Sequence, residues 1–159
     1  MSELATFNYR RPIMKTMFRG VLLSFIALRL AAAEGEWLTD LARAQAQAKV
    51  EKKLVFMDFT GSDWCPPCKA LHKDVLTSSD FLNYAKENLV LLVVDFPRSK
   101  PQSEALRTAN EELATKFAVD SFPTVIVLDA DGKKLIKESG YDGSNANEFI
   151  AKLKKLNAK

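Results

Sequence analysis

Thiols are scarce in this chain: two of its 159 residues are cysteine, Cys65 and Cys68. A small fold stapled by several disulfides carries more cysteines, spread along the sequence, and is excluded. Every thiol instead sits in one C-x-x-C motif. Histidine is scarcer still, with His72 alone. A closed structural zinc site needs four ligands, and Cys65, Cys68 and His72 supply three, so no bound metal is expected. Six glycines and six prolines exclude collagen-like or Pro/Gly-rich disordered sequence. No apolar run is long enough for a transmembrane helix, which takes about 20 residues. Charge of one sign is also lacking, since 23 Lys and Arg stand against 20 Asp and Glu. Residues 1–33 hold five of those bases and one of the acids, leaving 18 and 19, a net of −1, in residues 34–159. The basic balance thus belongs to the N-terminal segment and gives no reason to expect a nucleic-acid partner. Apolar residues at 47% and charged residues at 27% are ordinary for a globular domain.

The first 33 residues have the order of a secretory signal peptide. Basic residues between Arg10 and Arg19 precede the apolar stretch Gly20–Leu28, and Ala31-Ala32-Ala33 offers small residues for cleavage before Glu34. Met14 and Met17 are alternative starts that keep this order. Arg29 interrupts the apolar end, so an uncleaved N-terminal anchor is the alternative. Residues 34–159 are then expected to form one domain, large enough to bury a core without staples.

Within that domain, periodicity predicts a helix over residues 36–53, with Trp37, Leu38, Leu41, Ala44 and Ala48 on one face. A strand is predicted at 54–59, then a loop at 60–63, then a helix opened by Pro66, a residue suited to a first helical turn. A second helix, capped by Ser79 or Asp80, runs to Asn88. The continuous apolar run 89–95 suits a central strand covered on both faces. A helix at 103–117 follows. Strands at 124–128 and 133–138 are joined through Asp131-Gly132, and Asn145 with Glu148 opens a final helix. Strands alternating with helices, closed by a hairpin and a helix, imply an α/β fold: a central mixed sheet with helices on both faces.

The chemistry lies in Trp64-Cys65-Pro66-Pro67-Cys68-Lys69. The attacking species in disulfide exchange is a thiolate, so a reactive cysteine needs a lowered pKa. A cysteine just before a helix meets free backbone N–H groups and a partial positive charge. Cys65 is therefore the expected nucleophile, and Cys68 is spaced to reach back and resolve the mixed disulfide. Pro66 and Pro67 remove two N–H donors and stiffen the turn, effects that oppose each other on the redox potential. His72 lies four residues after Cys68, where it shares a helix face with it.

This centre resembles that of the thioredoxin family, with Pro66 in place of a glycine. The resemblance extends to Val55–Phe59 before the centre and to Ser121-Phe122-Pro123-Thr124 after it, and it covers roughly residues 36–157. It implies a thioredoxin-like fold and a thiol–disulfide oxidoreductase without a bound cofactor. It also implies that Pro123 is cis beside the attacking cysteine, and that the backbone of Phe122 pairs with a bound substrate chain. Trp64, Pro66 and Pro67 fall at the substrate-facing surface. Asp58 matches the family's buried acid, which moves a proton for the resolving cysteine. Asp58 precedes Cys65 by seven residues, one more than in ordinary thioredoxins, and Leu91 stands where the family places a lysine beside that acid.

The expected function is disulfide exchange with protein substrates outside the cytoplasm, in the periplasm of a bacterium. The expected partners are protein thiols and disulfides and a thiol redox protein, membrane-bound in one reading, acting on a monomer. The alternative from another class is a copper-binding module that uses the cysteine pair as soft ligands.

Overall fold

Leu54–Thr60 (β1) is buried on both faces, and the alternating direction of its side chains explains the layers of the molecule. The computed structural model describes residues 36–157, so the expected signal peptide lies outside the described residues. From β1, Val55, Met57 and Phe59 point into one apolar cluster, and Phe56 points into another on the opposite face. Adjacent side chains of a strand alternate in this way. β1 is central. It pairs in parallel with Leu89–Asp95 (β2) and antiparallel with Thr124–Leu128 (β3), which pairs antiparallel with Lys134–Ser139 (β4). The order is β2-β1-β3-β4, a mixed sheet.

Leu41–Glu51 (α1) and Glu104–Lys116 (α4) cover one face. Pro66–Leu71 (α2), Ser79–Asn88 (α3) and Ala146–Asn157 (α5) cover the other. Phe56 is fully buried there, edge-on to Trp37, Phe81 and Phe149 at centroid separations of 6.1, 5.5 and 6.1 Å. α2 continues as a π-helical turn, His72–Leu76, closed by the Thr77 N–H donating to the His72 carbonyl at 3.0 Å. Among the described residues no helix is long and apolar enough to cross a membrane.

The expected helix over 36–53 needs correction at its start. Asp40 caps α1, accepting from the Arg43 N–H at 2.6 Å. A residue that spends its side chain on a cap has non-helical backbone, and the helix begins after it. Leu38 is instead extended against β2: its N–H donates to the Leu91 carbonyl and its carbonyl accepts from the Val93 N–H, both at 2.9 Å. Trp37 and Leu38 therefore reach opposite faces of the sheet, not one helical stripe. The cap expected at Ser79 or Asp80 is instead Ser78, whose hydroxyl accepts from the Phe81 N–H so that Ser79 and Asp80 lie in the first turn of α3, and Ser103 caps α4. Asn145 and Glu148 form the reciprocal pair expected at α5, with bonds of 3.1 and 3.0 Å. At the β3–β4 turn Gly132 has φ 89°, a conformation that glycine adopts without strain.

Candidate active site

The end of β1 delivers the chain into a tight turn. The Gly61 carbonyl accepts from the N–H groups of Trp64 and Cys65 at 3.2 and 2.9 Å. Cys65 follows as N-cap of α2, with extended backbone (φ −92°, ψ 105°), and Pro66 and Pro67 occupy the first helical positions. Proline costs nothing there, because those N–H groups have no helical partner. Cys65 and Cys68 form a disulfide with an S–S distance of 2.06 Å. The Cys68 N–H points at Cys65 Sγ, 3.3 Å away. That donor and the helix terminus favour negative charge on Cys65 once the bond opens.

The Phe122–Pro123 peptide is cis. Pro123 is buried and Phe122 half-buried. The Phe122 ring meets Trp64 edge-on at 5.9 Å and lies 5.1 Å from Phe96. The backbone N–H and C=O of Phe122 enter no hydrogen bond among the described residues. Pro66 and Pro67 are exposed beside the disulfide.

Asp58, on the α2 face of β1, is 5% exposed. Its Oδ1 is buried without a hydrogen-bond partner. Burial, and secondarily the negative charge of Asp95, push its carboxyl from the usual 3.8 up to about 7. The neighbour of Asp58 on β2 is Val93, whereas Leu91 pairs with Phe56. No cation therefore relieves the burial from that strand. Asp58, Cys68, Lys69, His72, Val93 and Trp37 line one cavity of about 310 Å3, together with Thr60, Ser62 and Lys100. His72 is exposed at that cavity. Among the described residues no three His, Cys, Asp or Glu side chains are disposed to hold a metal ion.

The raised pKa of Asp58 makes stability depend on pH. Below about 3.8 the carboxyl is neutral in both folded and unfolded chains, and its contribution is fully present. As pH rises to about 7 the unfolded chain ionises first, so that contribution is lost. Asp58→Asn removes this dependence. Its stability relative to the parent is expected to rise between those pH values and level off above them, by roughly 4 kcal/mol at most. Denaturant titrations across pH check this, and a constant difference contradicts it.

Asp63, in the loop before the centre, has a structural use that sequence reasoning missed. Asp63 reaches across to the segment after β2, where its carboxylate accepts from the N–H groups of Arg98, Ser99 and Lys100 at distances from 2.6 to 3.1 Å. These bonds hold the Asp63 carboxyl below the usual range. Ser62 donates its N–H and hydroxyl to Asp95 at 2.9 and 2.6 Å. Trp64 donates through Nε1 to the Phe96 carbonyl at 2.7 Å, and the Arg98 guanidinium lies 3.9 Å above its ring. The partners are 32 to 37 residues apart, so no local pattern announces them.

Gly61 is required by this packing. A Cβ there would lie 2.5 Å from Cε2 of Trp64, whose ring is fixed on three sides. Gly61→Ala is expected to displace the ring at a cost of about 1–3 kcal/mol. Denaturation and tryptophan fluorescence read both effects, and parental values in both contradict the packing.

A disulfide at a helix start, beside a tryptophan packed edge-on against the residue before a cis-proline, fits a redox protein of the disulfide-exchange class. A family model described as a thioredoxin-like domain matches residues 41–157. The disulfide bond reductase DsbH of Chlamydia pneumoniae is 34% identical over 125 residues, 79% of this chain and 74% of the relative. A solved structure titled DsbH oxidoreductase superposes with TM-score 0.72 at 29% identity, covering 93% of this chain and 94% of that one. The thiol:disulfide interchange protein DsbD of Actinobacillus pleuropneumoniae is 30% identical over 72% of this chain but 19% of its own length. The chain belongs to the thioredoxin-like family and is a thiol–disulfide oxidoreductase within it.

Proposed function

We propose that the protein reduces disulfides in protein substrates outside the cytoplasm and is recharged by a partner thiol protein, membrane-bound in the cell. The Cys65–Cys68 disulfide at the start of α2 carries this reading. In the reduced state, the Cys65 thiolate attacks one sulfur of a substrate disulfide. That S–S bond breaks, one substrate thiolate leaves, and a mixed disulfide with Cys65 forms. Cys68 then gives its proton to the Asp58 carboxylate and attacks Cys65 Sγ. The second substrate thiolate leaves, and the Cys65–Cys68 bond closes. A carboxyl with a pKa of about 7 is half ionised near neutrality, suited to accepting that proton and releasing it to water. The cavity shared by Asp58 and Cys68 supports the pairing of these roles.

Trp64 and Phe122 offer the substrate an aromatic wall beside the disulfide. The free N–H and C=O of Phe122 suit pairing with an extended substrate backbone, and Pro66, Pro67 and Pro123 shape the contact. The direction of electron flow follows the relative described as a disulfide bond reductase. Export follows the order of charge, apolar core and small residues in 1–33.

The test mixes reduced protein with a disulfide-bonded substrate protein and counts thiols on both by alkylation. Two new substrate thiols are expected for each Cys65–Cys68 disulfide formed. Substrate left oxidised while the pair stays reduced contradicts the proposal.

A further inference from the structure

The positive side chains beside the centre make no ion pair among the described residues, while the nearby carboxylates are either hydrogen-bonded or buried. Asp63 is occupied by three backbone N–H groups, Asp95 by Ser62, and Asp58 is buried. Arg98, Lys100 and Lys69 make no ion pair among the described residues. Lys69 Nζ donates to the Asp63 carbonyl at 2.7 Å and Lys100 Nζ to the Ser62 hydroxyl at 3.2 Å, which fixes both ammonium groups on the loop before Cys65. The Arg98 guanidinium carbon lies over the Trp64 ring, 3.9 Å from its centroid, and the guanidinium N–H groups find no protein acceptor among the described residues. A guanidinium held over an aromatic ring without a protein acceptor keeps its N–H donors for a carboxylate, which it can take in bidentate fashion.

This arc is local. Residues 34–159 carry a net charge of −1, so it does not reflect a basic domain. On the cis-proline segment, residues 120–124, the exposed charge is Asp120, whereas Arg98, Lys100 and Lys69 lie on α2 and the segment after β2. The Asp63 clasp orders the three residues that carry Arg98 and Lys100, so those charges are held in place before any partner arrives.

We infer that Arg98, Lys100 and Lys69 form a docking edge for protein substrates with acidic residues flanking the cysteine that is attacked. This inference rests on the oxidoreductase reading and adds substrate selection to it. The substrate chain would lie against Trp64 and Phe122, with its carboxylates meeting the fork of Arg98 and the ammonium of Lys100. Complementary charge of this kind acts mainly on association, and salt screens it.

The test uses three disulfide-bonded peptides of equal length, with the cysteines flanked by Glu, by Gln or by Lys. Second-order rate constants for their reduction by the reduced protein are measured at low and high ionic strength. At low salt the Glu peptide is expected to react about ten-fold or more faster than the Lys peptide, with a ratio that shrinks as salt is added. Arg98→Gln combined with Lys100→Gln is expected to bring the ratio close to one. The charge-conserving pair Arg98→Lys with Lys100→Arg is expected to keep most of it. A ratio near one in the parent protein, with the Gln peptide still reduced, overturns the docking edge and leaves the oxidoreductase reading standing. A ratio unchanged in the double Gln protein overturns the assignment to these residues. Failure to reduce any of the three overturns both readings.

Discussion

Cys68→Ser is expected to accumulate covalent complexes with protein substrates, and Cys65→Ser to accumulate none. In the disulfide both cysteines are 3% exposed, so exposure does not separate their roles. Position does. Cys65 caps α2 and receives the Cys68 N–H, an arrangement that stabilises a thiolate. Cys68 lies one helical turn further along α2 and lines the cavity with Asp58. Removing Cys68 leaves the attacking thiolate intact but takes away the group that resolves the mixed disulfide. Removing Cys65 abolishes attack, and multiple-turnover exchange is expected to fall below detection in both variants. Non-reducing electrophoresis of each variant after incubation with oxidised substrate reads the outcome. Equal trapping by the two variants overturns the assigned order of attack.

Phe56→Ala carries the largest expected effect on stability. Phe56 is fully buried at the centre of the core on the α2 face, with aromatic edges from Trp37, Phe81 and Phe149 around it. Truncating a buried phenylalanine removes its transfer free energy and leaves a cavity, at about 3–5 kcal/mol. Domains are stable by about 5–15 kcal/mol in total, so the variant is left with a small margin. The same core packs against Leu71, the last residue of α2, so loss of the ring also loosens the support of the disulfide. Denaturant titration checks the value. Val50→Ala, at a position 82% exposed, serves as the comparison and is expected to change stability by less than about 0.5 kcal/mol. Equal effects at both positions contradict the packing account.

Much of this architecture was legible because period and punctuation agree. The run 89–95 forms β2 over those residues, and Asn145 with Glu148 opens α5 as their spacing implies. Trp37 and Leu38 misled the reading: their apolar character fits a helical stripe and an edge pairing equally well, and only the capping of α1 by Asp40 decides between them. The Cys65–Cys68 pairing and the cis bond at Pro123 were legible because both rest on short local motifs. The Asp63 clasp, the bonds from Ser62 to Asp95 and the stacking of Arg98 on Trp64 join segments that only the sheet brings together. No propensity encodes such contacts. The buried acid at Asp58 was implied by the family resemblance, and the residue is indeed 5% exposed with its carboxyl raised by burial to about 7.

The most direct test of the central claim is a redox titration of the Cys65–Cys68 pair in glutathione buffers, with thiols counted by alkylation. The account predicts reversible two-electron behaviour with a reduction potential between about −270 and −200 mV, the range of thioredoxins and glutaredoxins. A pair locked in one state across the accessible range would contradict it.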